Sequence, residues 1–115
     1  YKWQKIKCMS DKVPYGNAGF VDAHDLMKGK SGIVYFTSDI EVGPYDRGNI
    51  LLGFDGPVKV WLNGLQVYEG AGSNPAYADK VSVPVNFKHG TNRLSIALDT
   101  NHGRAWGIYA RYETR

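Results

Sequence analysis

The feature that most constrains the fold is a hairpin signal in the middle of the chain. Val58, Val60 and Leu62 stand at alternate positions, Asn63-Gly64 follows, and a second extended run begins at once. A type I′ turn needs positive φ angles at both central residues, and Asn-Gly is the pair that adopts them most readily. The sequence therefore predicts an antiparallel β-hairpin that turns at Asn63-Gly64.

The same period of two recurs along most of the chain, whereas helical periodicity is nearly absent. Besides the second strand of the hairpin, alternating runs fall at residues 4–8, 34–42, 50–54, 58–62, 81–87, 94–98 and 106–112. Glycine-rich turns separate these short runs, which is typical of an antiparallel sandwich. We therefore predict an all-β fold, an antiparallel jelly-roll-like β-sandwich, with residues 1–115 forming a single domain.

Parity along the strands also predicts the core and one edge. Pro84 cannot donate a ladder hydrogen bond, so its strand should be an edge strand or be kinked there. Side chains of one parity should be buried together between the sheets. These are Val34, Phe36, Leu52, Phe54, Val60, Leu62, Val83, Val85, Leu94, Ile96, Leu98 and Ile108.

Composition excludes several classes of function. The net charge of +3 is small, and the basic residues of the chain are scattered along the sequence, so no nucleic-acid partner is expected. No apolar run approaches the roughly 20 residues that a membrane helix requires, so no membrane partner is expected. The single Cys8 excludes an internal disulfide. No nucleophile, zinc or nucleotide motif is present, and an acid pair such as Asp55 with Asp79 is weak evidence for catalysis.

The hairpin and the segments after it resemble the sugar-binding jelly-roll domains attached to glycoside hydrolases, including galactose-binding-like domains. The resemblance covers about residues 33–113. It rests on the hairpin Val60-Trp61-Leu62-Asn63-Gly64, the strand at 81–87, the turn Gly90-Thr91-Asn92 and the final strand from Trp106. It implies a non-catalytic carbohydrate-binding module of a secreted, glycan-degrading protein. Such domains often carry a structural Ca²⁺, for which Asp22, Glu41, Asp99 and Glu113 offer carboxylates. No other cofactor is expected.

Connection directions predict where a ligand would bind. If consecutive strands run antiparallel, loops 28–32, 55–57, 70–80 and 100–104 share one end of the sandwich. This end carries the longest loop, and long ordered loops tend to be functional. A sugar site combines a flat face for stacking with planar hydrogen-bonding groups. The predicted ligand-binding residues are Asn74, Tyr77, Asp79, Asn101, His102, Arg104 and Trp106.

Two alternatives remain open at this point. The asparagines of these loops are also ordinary turn formers, although turn chemistry does not explain Tyr77 or Arg104. Trp61 has the outward parity and would be either a stacking platform on a sheet face or part of a small second core. The predicted partners are an oligo- or polysaccharide and a neighbouring catalytic domain of a larger chain. The alternative function is a structural β-sandwich that packs on that catalytic domain and binds no sugar.

Overall fold

A computed structural model describes the backbone of residues 20–22 and, with their side chains, residues 32–43, 47–72, 79–100, 105 and 107–114. These residues form eight strands and no helix. The strands are β1 (Phe20–Asp22), β2 (Ile33–Val42), β3 (Arg47–Phe54), β4 (Val58–Leu62), β5 (Leu65–Gly70), β6 (Val81–Asn86), β7 (Gly90–Asp99) and β8 (Gly107–Thr114). The predicted strand at residues 4–8 lies outside the described residues, and the pattern did not predict β1.

Two antiparallel four-stranded sheets make up the fold, and this confirms the predicted all-β sandwich. The first sheet has the order β1-β8-β3-β6 and the second the order β2-β7-β4-β5. Buried side chains alternate with more exposed ones along strands such as β4 and β6, because alternate side chains of a strand point to opposite faces. Pro84 lies on β6, an edge strand, where the missing N–H breaks no ladder on its outer side.

The core follows the predicted parity. Eleven of the twelve predicted core residues are buried, and Leu98 and Val60 are fully enclosed. Phe36 is only partly buried although it packs against the core. It lies on β2, which has a neighbouring strand on one side only, so part of its ring stays open to solvent. Gly48 on β3 allows close packing, because a methyl group there would collide with the Glu113 carbonyl oxygen and the Phe87 ring.

The hairpin at Asn63-Gly64 has the predicted turn. The φ angles are 53° at Asn63 and 83° at Gly64, as a type I′ turn requires. The β4–β5 ladder shifts register between Val60 and Trp61, which marks a β-bulge.

One buried asparagine joins this turn to the connection between β6 and β7. The Asn92 side chain has no exposed surface, and its Oδ1 accepts hydrogen bonds from Asn63 Nδ2 at 2.9 Å and Lys88 N at 3.0 Å. Its Nδ2 donates to the carbonyl oxygens of Lys88 and Gly90 at 2.8 and 3.2 Å. Asn63 in turn accepts from Arg93 N at 2.8 Å through its own Oδ1. We call the paired side chains of Asn63 and Asn92 the turn lock.

The turn lock explains two motifs of the sequence in structural terms. Buried polar atoms must be hydrogen-bonded, and all four polar contacts of Asn92 stay inside the protein. The Asn-Gly pair and the Gly90-Thr91-Asn92 segment therefore hold one end of the sandwich together. The described ends of the predicted ligand-binding loops, at residues 72 and 100, lie at the opposite end.

Candidate functional site

The loop end of the sandwich is built on a hydrogen-bonded frame. We use this name for Gly32, residues 55–57, residues 70–72, Thr100 and Ala105. Thr100 is buried, and its hydroxyl accepts from Gly32 N at 2.8 Å and donates to Gly32 O at 3.0 Å. Thr100 N also donates to Gly32 O, and Ala105 N donates to Thr100 O at 2.9 Å. Asp99 N donates to Pro57 O at 2.9 Å.

This frame confirms that the connections before β2, between β3 and β4, and after β7 meet at one end, as the sequence predicted. Gly72 contributes to the same end, because a methyl group there would touch the Phe54 ring and carbonyl oxygen. The described ends of loops 70–80 and 100–104 therefore lie at the same end of the sandwich.

Asp55 is a buried carboxylate within the loop end. Only 3% of its surface is exposed, and its Oδ1 accepts a hydrogen bond from Gly107 N at 3.2 Å. Burying a carboxylate is costly unless it is hydrogen-bonded, so Asp55 anchors the start of β8 to the β3–β4 connection. The sequence analysis placed Asp55 in the 55–57 loop and named it with Asp79 as an acid pair, and it did not predict that Asp55 is buried, because loop residues carry no local signal of burial.

Of the seven predicted ligand-binding residues, Asp79 is the one that the structure describes. Its carboxylate accepts two hydrogen bonds from one guanidinium, from Arg111 Nε at 2.8 Å and Arg111 Nη2 at 2.7 Å. Arg111 Nη1 also donates to Glu113 Oε1 at 3.1 Å. The other six predicted residues lie outside the described residues: Asn74, Tyr77, Asn101, His102, Arg104 and Trp106.

The electrostatics of this group follow from its geometry. The Arg111 hydrogen bonds hold the pKa of Asp79 below its ordinary value, and Asp79 raises the pKa of Arg111. Both side chains are therefore charged throughout the neutral range. The side chains of Arg111 and Asp79 are 53% and 40% exposed, so solvent and solutes can reach them.

The pKa of Asp79 does not suit the role of a general acid. A general acid needs a raised pKa, and the pKa of Asp79 moves the other way. Asp55 and Asp79 also have separate partners, namely Gly107 and Arg111. Hydrogen bonds within the described residues use three of the five guanidinium N–H groups of Arg111. The remaining two can donate to a hydroxyl or carboxylate oxygen.

Sequence reasoning did not single out Arg111, although it has the outward parity on β8. Arg104 was chosen as the guanidinium of the site because it falls in a predicted loop. Arg111 comes close to the end of the 70–80 loop only through the sheet order, because β8 and β6 both pair with β3. A strand arginine therefore gave no sequence signal that separated it from other exposed arginines.

A second surface carries aromatic side chains on the outer face of the second sheet. Trp61 lies opposite Ser95 and is partly exposed, so its predicted outward direction is correct. Tyr35, which is 52% exposed, lies opposite Ala97 in the adjacent row of the same face. Small residues thus separate the two aromatic side chains. We call Tyr35, Trp61, Ser95 and Ala97 the outer aromatic face.

The three described carboxylates among those suggested for a structural Ca²⁺ do not form one donor set. Glu41 lies opposite Thr91 and accepts a hydrogen bond from the Thr91 hydroxyl. Asp99 lies opposite Ile33, at the other end of the β2–β7 ladder. Glu113 is paired with Arg111, and the side chain of Asp22 is outside the described set. Within the part of the chain that is described, no three His, Cys, Asp or Glu side chains are grouped to hold a metal ion. No helix among those residues is long and apolar enough to span a membrane.

Comparison with solved structures identifies similar folds. The chain is similar to a segment of the β-glucosidase from Kluyveromyces marxianus, with a TM-score of 0.63 and 15% sequence identity. That match covers 91% of this chain and 14% of the β-glucosidase chain. A structure of the same enzyme in complex with glucose gives a TM-score of 0.61 at 14% identity, covering 86% and 14% of the two chains.

A PA14 domain of the antifreeze protein MpAFP is also similar, with a TM-score of 0.55 and 13% identity over 73% of this chain and 44% of that one. No protein-family model and no curated protein sequence matches the chain. At these identities the likeness shows the fold. The chain spans 14% of the length of the β-glucosidase, so the fold occurs there as one part of a larger glycoside hydrolase chain.

Proposed function

We propose that this domain is a non-catalytic carbohydrate-binding module that tethers a glycan-degrading enzyme to polysaccharide. The observation that carries the proposal is the match of 91% of this chain to a segment that makes up 14% of a β-glucosidase. A fold that occurs inside such a chain suits an accessory role beside a catalytic domain. The same reasoning leads us to propose an extracellular location, where polysaccharide substrates are found.

The proposed site is the loop end. Loops 70–80 and 100–104 and the start of the last strand would supply Asn74, Tyr77, Asp79, Asn101, His102, Arg104 and Trp106, and the hydrogen bonds of Thr100 to Gly32 and Ala105 at this end support the proposal. An aromatic ring would stack on the apolar face of a sugar ring, and amide, imidazole and guanidinium groups would bind its hydroxyls. The affinity for a single sugar would be weak, and it would increase with the length of the glycan because a longer glycan offers repeated contacts.

Arg111 adds a second guanidinium to this proposal. Asp79 and Glu113 orient it, and the hydrogen bonds within the described residues leave two of its five N–H groups to donate to sugar hydroxyls. A uronic-acid carboxylate would bind Arg104 instead, because Asp79 and Glu113 already place two negative charges beside Arg111. The Arg104 guanidinium would offer such a carboxylate two parallel hydrogen bonds.

One observation favours the alternative, a structural domain that packs on a catalytic domain. Ile33 and Tyr35 are 57% and 52% exposed on the outer face of β2. Exposed apolar side chains that lie close together often mark a surface covered by another protein. The outer aromatic face would then be an interface, and no sugar would bind to it.

A glycan array or affinity-gel screen of the isolated domain, including uronic-acid polymers, separates these functions. We expect binding that Tyr77→Ala and Arg104→Ala each weaken while the melting temperature stays unchanged. Trp61→Ala is the matched control on the outer aromatic face. Loss of binding in Trp61→Ala alone would move the site to the sheet, and a screen without any bound glycan would support the structural domain.

A further inference from the structure

The turn lock includes Asn63, the first residue of the chemically reactive dipeptide Asn63-Gly64. Asparagine followed by glycine can lose its side-chain amide, because glycine has no side chain to block its backbone nitrogen from approaching the asparagine Cγ. Gly64 is exposed, and nothing lies within 4 Å of the position that a Cβ would take. Water and base therefore reach this turn from outside, and only the conformation of Asn63 decides whether the reaction can start.

We propose that Asn63 is a latent deamidation site that the turn lock holds unreactive in the folded domain. The reaction begins when the Gly64 backbone N–H loses its proton to base and its nitrogen attacks Asn63 Cγ. An N–Cγ bond forms, the Cγ–Nδ2 bond breaks, and ammonia leaves after it takes a proton from solvent. Water then opens the cyclic imide at either carbonyl, which yields aspartate or isoaspartate at position 63. No electrons are gained or lost.

The fold opposes the first step through both atoms of the Asn63 carboxamide. Nδ2 donates to Asn92 Oδ1 at 2.9 Å, and Oδ1 accepts from Arg93 N at 2.8 Å. Both partners, Asn92 and Arg93, lie on β7, so the two hydrogen bonds hold the Asn63 carboxamide toward that strand. Cγ can turn toward the Gly64 nitrogen only when both hydrogen bonds are broken. The backbone resists as well, because Asn63 N donates to Arg93 O at 2.8 Å.

Hydrogen-bond energies give the size of the protection. A net hydrogen bond changes an equilibrium by roughly two- to tenfold, so two bonds imply roughly 4- to 100-fold slower deamidation than in an unstructured peptide. Asn92→Ala removes one of the two bonds and leaves the one from Arg93. We therefore expect deamidation roughly two- to tenfold faster in this variant than in the folded wild type.

The product would also weaken the domain. A carboxylate at position 63 has no N–H to donate, so its oxygens face Asn92 Oδ1, a buried acceptor. Isoaspartate adds one methylene to the backbone of a two-residue turn. Chains that have deamidated should therefore melt at a lower temperature than unmodified chains. This consequence is independent of any glycan.

The test is peptide mapping by mass spectrometry after incubation of the full chain at mildly alkaline pH. The comparison is the wild type, Asn92→Ala and a peptide of residues 58–68. Asn86, which precedes Phe87, is the internal reference because a bulky neighbour blocks attack. Ile96→Ala is the matched control, since it destabilises the domain through the core and leaves the turn lock intact.

We expect slow modification of the wild type and Ile96→Ala, faster modification of Asn92→Ala, and the fastest in the peptide. Equal rates in the folded wild type and the peptide would overturn the proposal, as would a folded Asn92→Ala that reacts no faster than the wild type. An Ile96→Ala rate that matches Asn92→Ala would attribute the effect to general unfolding and would also refute it. If Asn92→Ala does not fold, the deamidation rates of the folded wild type and the peptide are compared, and equal rates would still refute the proposal.

Discussion

The most direct test of the fold is to remove volume from the middle of β7. Ile96 is 3% exposed and lies between Phe36 on β2 and Val60 on β4, which are its cross-strand partners. Ile96→Ala deletes three carbon atoms, which corresponds to a transfer free energy of about 2.4 kcal/mol. The cavity adds to this cost, because strands on both sides limit the collapse of the surrounding residues. We expect a total loss of about 3–4 kcal/mol.

Urea unfolding followed by tryptophan fluorescence measures this loss. The midpoint should fall while the m-value stays constant, since the surface exposed on unfolding hardly changes. For a chain of this length, the melting temperature should fall by roughly 12–16 °C. The variant should still fold, because domains of this size have about 5–15 kcal/mol of stability.

The adjacent residue supplies the control. Ser95 lies on the outer face opposite Trp61, and Ser95→Ala should change the free energy of unfolding by less than about 0.5 kcal/mol. A loss below about 1 kcal/mol in Ile96→Ala would refute the register, because a slip by one residue moves every side chain of a strand to the other face.

The remaining predictions concern turns, packing and pH. Gly64→Val should destabilise the domain by roughly 1–3 kcal/mol, because φ is 83° at this position. The control is Gly43→Val, which should leave the melting temperature nearly unchanged, because Gly43 also has open space around it but does not have a positive φ. Gly48→Ala should strongly reduce the yield of folded protein or its melting temperature, because the added methyl group would collide with the β8 backbone. A melting temperature equal to that of the wild type would mean that β3 and β8 are further apart than the structure shows. Asp79→Asn should lower the melting temperature slightly at neutral pH. Because Arg111 lowers the pKa of Asp79 in the folded state, the stabilisation is present above the ordinary pKa and fades as the pH falls below about 4, so a difference from wild type that persists in acid would argue against the ion pair.

Local patterns were sufficient for most of the fold because strand parity and turn chemistry are properties of neighbouring residues. The Asn63-Gly64 turn, the edge position of Pro84 and the burial of Ile96 follow from such patterns. Phe36 shows the limit, since its parity predicts burial but its exposure depends on whether β2 has a second neighbour. Local patterns give less information about the predicted site. The structure locates Asp79 alone among its seven residues, and ligand binding by all seven remains a prediction.

What the sequence by itself determined is the all-β class, the hairpin and the inward face of most strands. Period-two alternation and positive-φ turns need no knowledge of distant residues. Only the tertiary structure showed that Asn92 joins Asn63 to the β6–β7 connection, that Asp55 is buried, and that Asp79 pairs with Arg111 across 32 positions of sequence. These contacts depend on the order of strands in the two sheets. Strand order is set by the packing of the whole chain, so side chains that meet through it carry no local signal.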